Sequence, residues 1–209
     1  MRDEEAADVV RAVQVAFGLV GEFPGGSTLV AVMDQWPALQ RLRAQLVVKE
    51  LVEILGDPEQ GLVRRLGEDE RVLRLLSSAI NAAANADTKA KIRALAHVAS
   101  RGLIDDAKLD EAIYLIDIIR DLQVIDVRLL LAIEAEHLEP ETGLNTSEAL
   151  GVSVGVAESL NAKLLQLAIV ETTGMSLRGL YPEVRLSPFG QEILDVLRRN
   201  GDGDPLHPL

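Results

Sequence analysis

The stretch that decides the fold starts at Thr146 as TSEALGVSVGVAESLNAKLLQLAIVE and resumes at Tyr181 as YPEVRLSPFGQEIL, ending at Leu194. Ser147 to Leu150 reads as a short helix and Gly151-Val152-Ser153 as a turn. A second helix runs from about Gly155 to Val170, with Ser153 as its cap and the glycines allowing the turn. Thr172 to Ser187 carries Gly174, Gly179 and Pro182 between short apolar runs, which predicts a β-hairpin. Leu186 is expected to be a buried strand residue. Ser187 then caps a final helix, with Pro188 in its first turn, Phe189 packing back and an end near Arg199.

Upstream the period is helical throughout. Asp3 to Val20 reads as one helix with Val9, Val10, Val13 and Phe17 on a stripe, broken by a Gly/Pro segment. Pro37 opens a second helix to about Leu55, Gly56-Asp57-Pro58 ends it, and a short helix follows through Leu66. Glu68-Asp69-Glu70 places three acids at the positive end of the next helix dipole, and that helix carries Leu73, Leu76, Ile80 and Ala83. A helix from Asp87-Thr88 buries Ile92, Leu95, Ala96, Ala99 and Leu103. Asp105 or Asp106 caps another, with Leu109, Ala112, Ile113, Ile116 and Ile119 inward. Val124 to Glu136 is apolar on most sides, which predicts a nearly enclosed helix. Glu139 to Gly143 reads as a linker. The expected organisation is mainly α: a helical bundle over 1–138, a module over 139–200 and a flexible tail over 201–209. No repeat of 20–50 residues is present, which excludes a solenoid.

The order helix, turn, helix, hairpin, helix resembles a winged helix-turn-helix module, and RLSPFGQEIL resembles a wing's second strand running into the last helix. The resemblance implies that the helix from Gly155 would enter the major groove if the module read DNA. The upstream run KIRALAHVASRGLIDDAKLDEAIYLIDIIRDLQVIDVRLLLAI, Lys91 to Ile133, resembles uncharacterised bacterial all-helical proteins with a winged-helix-like end. Some of these look like abortive-infection (phage defence) components. That resemblance implies a regulatory or interaction role without a catalytic motif.

Composition narrows the classes. The 209 residues are 48% hydrophobic and 26% charged, which excludes disorder for most of the chain. A chain of this length buries enough surface to fold without disulfide or metal. The net charge of −12 opposes nonspecific attraction to nucleic acid or anionic lipid. Cysteine is absent, so disulfides, thiolate metal sites and a cysteine nucleophile are excluded. That absence fits a reducing compartment, and the opening MRDEEAAD is acidic where a secretory signal is basic. The expectation is a cytoplasmic protein. Residues 12–33 hold a single charge, Glu22, but Gly21 to Ser27 interrupts the run below spanning length. A buried helix end and loop is the favoured reading, with a membrane-touching hairpin the alternative.

Several motifs echo known chemistry. Gly151-Val152-Ser153-Val154-Gly155 matches G-x-S-x-G, with Asp195 and His207 in hydrolase order. No buried strand precedes it, so Ser153 reads as a cap. Gly21 to Thr28 echoes a P-loop but has Ser27 where the lysine belongs. Glu134 and His137 form one Glu-x-x-His pair, and a di-iron bundle needs two. Asp202, Asp204 and His207 lack a scaffold. His97 falls off its apolar stripe and reads as a surface residue. Arg41, Arg43, Arg64 and Arg65 read as solvated helix faces. Trp36 reads as a packing staple, with a partner contact as the alternative. The expectation is therefore no catalytic residue, no cofactor and no metal.

The expected function is a non-enzymatic regulatory or protein–protein interaction protein, with bacterial phage defence implied by resemblance. One alternative is a DNA-binding regulator, with Asn161, Lys163, Gln166, Arg178 and Arg185 as contacts. Another is a membrane-associated effector acting through residues 12–33. Charge argues against the DNA reading. Val154 to Val170 carries Glu158 and Lys163, and from Glu139 onward there are five basic and ten acidic residues, a net of −5. Leu164, Leu165, Leu167, Ile169 and Val170 fit burial against the helical body or a partner. A protein partner is expected, nucleic-acid binding is expected to be weak or absent, and self-association is left open.

Overall fold

The computed structural model describes residues 35–55, 69–138, 146–175 and 182–206. The expected helices over 3–20 and before Leu66, the linker at 139–143, and residues 12–33 lie outside these. The described part is mainly helical, with one small antiparallel hairpin near its C-terminal end. None of its helices is long and apolar enough to cross a membrane.

Two compact units emerge. The first comprises the described residues up to Ala86 together with Lys91–Asp121. It contains α1 (Ala38–Leu55), α2 (Glu70–Ala84), most of α3 (Lys89–Ile104), a 3₁₀ turn (Asp106–Lys108) and α4 (Leu109–Asp121). The Pro37 carbonyl accepts from the Arg41 amide at 3.1 Å, so proline opens α1 as its sequence position suggests. Asp69 caps α2 through the Arg71 amide at 2.9 Å, and Asp105 caps the 3₁₀ turn through the Ala107 amide at 3.0 Å.

The first core follows helical periodicity. On α2, Val72, Leu75, Leu76, Ala79, Ile80 and Ala83 are buried, while Leu73 sits half-buried at the stripe's edge. All five predicted α3 residues, Ile92, Leu95, Ala96, Ala99 and Leu103, are buried. On α4, Leu109, Ala112, Ile116 and Ile119 are buried as expected. Leu115 takes the inward place expected for Ile113, which is half-buried. Gly102 lets α3 approach closely: a Cβ there would stand 2.9 Å from both Ala112 Cβ and Leu75 Cδ2. Lys91 is buried, and its ammonium donates to the Arg120 carbonyl at 3.1 Å, satisfying an orphan acceptor at the end of α4.

The second unit comprises Asp87–Ala90 and the described residues from Leu122 onward. It contains α5 (Val124–Leu138), α6 (Thr146–Leu150), α7 (Val154–Gln166), β1 (Val170–Met175), β2 (Pro182–Leu186) and α8 (Pro188–Asn200). This reproduces helix, turn, helix, hairpin, helix, the winged-helix-like order. The helix expected to be nearly enclosed, α5, groups with this unit. It buries Asp126, Val127, Leu129, Leu130 and Ile133 and exposes Arg128.

Helix ends explain the module's turns. After α6, Gly151 takes φ +66°, with Gly151 N–H bonded to Glu148 O and Val152 N–H to Ser147 O. After α7, Ala168 takes φ +55°. Its N–H reaches Leu165 O, and Ile169 N–H reaches Leu164 O, both at 3.0 Å. Both pairs are the reciprocal bonds that close a helix through one left-handed residue. The α7 helix therefore stops at Gln166, four residues before the expected end at Val170, and Val170 begins β1 instead. The strands pair Val170 with Leu186 through Met175 with Pro182, with an irregularity between Thr172 and Gly174. Leu186 is half-buried rather than buried. Beyond α8, residues 201–206 form turns: Gly201 and Pro205 are buried, and Gly203 N–H bonds to Arg198 O at 3.0 Å.

Candidate functional site

The second unit holds the residues with the strongest functional expectation. Its α7 occupies the place of a reading helix. The exposed part of α7 comprises Val154, Gly155, Val156, Glu158, Ser159, Ala162 and Gln166, with Val154 and Val156 exposed by 48% and 44%. Apart from Glu158, that face carries no charge.

Lys163, the one cation of α7, is bonded to Asp126 Oδ2 on α5. Asp126 is fully buried. Its Oδ2 also accepts the Gln123 amide at 2.7 Å, the reach-back bond of a capping box at the start of α5. Its Oδ1 has no hydrogen-bond partner among the described residues. A buried carboxylate in this position requires its cation.

The remaining expected nucleic-acid contacts are placed as follows. Asn161 is half-buried, and its amide donates to Thr146 Oγ1 at 3.4 Å. Gln166 is exposed. Arg185 on β2 is exposed and donates to Glu171 Oε1 on β1 at 2.6 Å, a cross-strand pair in register. Arg178 lies outside the described residues. Trp36, the expected partner contact, is half-buried directly before Pro37.

At the base of the hairpin a cleft of about 360 Å³ lies among Glu134, Glu171, Arg185, Ser187 and Gln191. Each of these groups has a partner. Glu134 accepts from Arg198, with Nη1 at 2.7 Å, and from Gln191 at 3.2 Å. Ser187 Oγ donates to Ala168 O at 2.6 Å and accepts the Gly190 amide at 2.9 Å. These bonds fasten α8 to α5 and to the α7–β1 turn.

The Arg198 guanidinium holds the Glu134 carboxyl below its usual range, with Gln191 helping and burial opposing. A depressed carboxylate pKa adds stability above the unfolded value, near 4.3, and that stability is lost as pH falls through the folded value. Stability is therefore expected to fall as the pH drops below about 5. In Glu134→Gln, urea titrations across that range should show a shallower drop.

Of the residues with catalytic echoes, Ser153 and Asp195 lie among the described residues. Ser153 stands at the N-cap of α7 without a side-chain cap bond, follows helix α6 rather than a strand, and the sheet is a two-stranded antiparallel hairpin. Asp195 accepts from Gln191 at 3.3 Å, and His207 lies outside the described residues. Ser187 is the serine whose cap bond is made. Ser187→Ala is expected to cost about 1–2 kcal/mol and Ser153→Ala only a few tenths, as read by chemical denaturation. Equal losses would contradict the difference in geometry.

Glu134 is held by Arg198, and the His137 side chain lies outside the described residues. Among the described residues no three His, Cys, Asp or Glu side chains gather as metal ligands. Asp204 Oδ1 accepts the Leu206 amide at 2.8 Å. His97 and Arg41 are exposed, and Arg43 is half-buried. The P-loop echo at residues 21–28, with Arg64 and Arg65, lies outside the described residues.

The chain matches no protein-family model, no curated protein and no solved structure.

Proposed function

We propose that the winged-helix-like unit is a protein-contact module of a non-enzymatic regulatory protein. The observation carrying this reading is the chemistry of α7. Its outward face offers Val154, Val156, small residues, Gln166 and the single acid Glu158, while its single cation is turned onto buried Asp126. Phosphate neutralisation by Lys and Arg supplies most nonspecific affinity for duplex DNA, and this helix presents no cation for it. A protein surface asks for apolar and small residues with few charges at its centre. Bacterial defence as the setting rests on the resemblance of Lys91 to Ile133 alone, and neighbouring genes for defence components would support it.

Fluorescence anisotropy with a labelled random duplex tests the reading. Dissociation constants weaker than about 10 µM are expected at physiological salt, in the range of nonspecific binding or beyond it. A photo-crosslinking residue at Val156 is expected to give one discrete protein adduct in cells, absent when the same residue stands at exposed Arg74. Submicromolar, salt-sensitive duplex binding lost in Arg178→Ala/Arg185→Ala would establish the DNA-regulator reading instead.

A further inference from the structure

We infer that Asp126 is a specificity-determining residue that withholds Lys163 from phosphate, so that α7 rejects polyanions. This deepens the protein-contact reading and rests on it for its biological sense, but its chemistry stands separately. Three observations on different atoms carry it. Asp126 is fully buried, although it is the one acid in the run Val124 to Ile133. Its Oδ2 is shared between the Gln123 amide and the Lys163 ammonium. Its Oδ1 has no partner among the described residues, so Lys163 is the charge that compensates this carboxylate.

Of the three cations expected as nucleic-acid contacts, Lys163 and Arg185 lie among the described residues, and they are held differently. Arg185 pairs with Glu171 where both side chains are about half exposed, at 52% and 41%. Such a pair opens at little cost, because water replaces each partner. Lys163 is 33% exposed but its partner is 0% exposed. Swinging Lys163 toward a phosphate would leave Asp126 charged, buried and half unbonded, a penalty that one exposed phosphate contact does not offset. The carboxylate thus removes from α7 the one positive charge a groove-binding helix would use.

Two experiments test this on the full chain. In wild-type protein, acylation of lysines by an amine-reactive acetyl ester, read by mass spectrometry, is expected to label Lys163 at least tenfold more slowly than Lys108, whose side chain is 44% exposed. Labelling at equal rates would overturn the proposal without needing any variant. The second experiment measures anisotropy of a random duplex between 50 and 200 mM salt with Asp126→Asn, which keeps the acceptor for Gln123 while removing the charge. Binding at the lowest salt is expected to tighten at least threefold, and the salt slope to steepen by about 0.9, the signature of one added phosphate contact. The gain should vanish in Asp126→Asn/Lys163→Gln. A folded Asp126→Asn protein with unchanged slope would overturn the inference. Tight wild-type binding through the wing arginines, with Lys163 still protected, would defeat the protein-contact reading and leave the role of Asp126 standing.

Discussion

Lys163→Met is expected to lower the unfolding free energy of the C-terminal unit by about 3 kcal/mol. Removing one member of a buried ion pair typically costs about 3–5 kcal/mol, because the other charge stays behind uncompensated. Lys163 keeps partial contact with water, at 33% exposure, which places the expectation at the lower end of that range. Asp126, at 0%, has none. Asp126→Asn/Lys163→Met should recover most of the loss, since a neutral pair leaves no bare charge. Urea denaturation of the four proteins forms a double-mutant cycle. A coupling below about 0.5 kcal/mol would show that the pair is not buried in solution. A surface lysine, by contrast, changes stability by no more than a few tenths of a kcal/mol.

Gly190→Ala is the second large expectation, a loss of about 3 kcal/mol or more. Helix propensity alone would favour alanine by about 1 kcal/mol. Space reverses the sign. A Cβ at Gly190 would stand 1.9 Å from Ile169 O and 2.9 Å from Ile169 C. Those are backbone atoms, and the same carbonyl accepts the Ser187 amide at 3.0 Å, so the start of β1 cannot retreat without releasing the cap of α8. Overpacking of this kind costs about 1–3 kcal/mol where side chains yield, and more where backbone must move. Gly155 is the internal control. It lies in α7 with nothing within 4 Å of an added Cβ, so Gly155→Ala should be neutral or stabilise by a few tenths of a kcal/mol. Thermal melts of the two variants would settle the contrast. A Gly190→Ala protein melting within a degree of wild type would show that α8 does not dock on Ile169.

The candidate site was partly legible beforehand. The composition of α7, with Glu158 and Lys163 as its charges, already argued against a groove-binding helix. Periodicity also marked Ser187-Pro188 as a helix start, because a cap followed by proline is a local signal. The pairing of Lys163 with Asp126 was not legible, since 37 residues separate them. A signal existed all the same. An aspartate three places into an otherwise apolar helix start is the position from which a carboxylate reaches back to the first free amide, and burial of the surrounding residues then demands a cation. Nothing in sequence names which cation.

By itself the sequence determined the described helices, the caps at Asp105 and Ser187 and the hairpin, because these rest on contacts within a few residues: 3.6-residue apolar periodicity, Asp105 and Ser187 accepting nearby amides, and the glycine at 151 in a left-handed turn, whereas Ser153, expected as a cap, makes no side-chain bond. Tertiary structure decided the rest. It ended α7 at Gln166 through a left-handed Ala168, a conformation that alanine does not choose alone and that local signals therefore do not announce. It grouped α5 with the C-terminal unit, although the texture of the chain changes only after Leu138. An all-round apolar helix has no single face to reveal which neighbours it joins. It also turned Lys163 from a surface cation into the counter-ion of a buried acid, because burial is a property of what surrounds a residue in space and not of its neighbours along the chain.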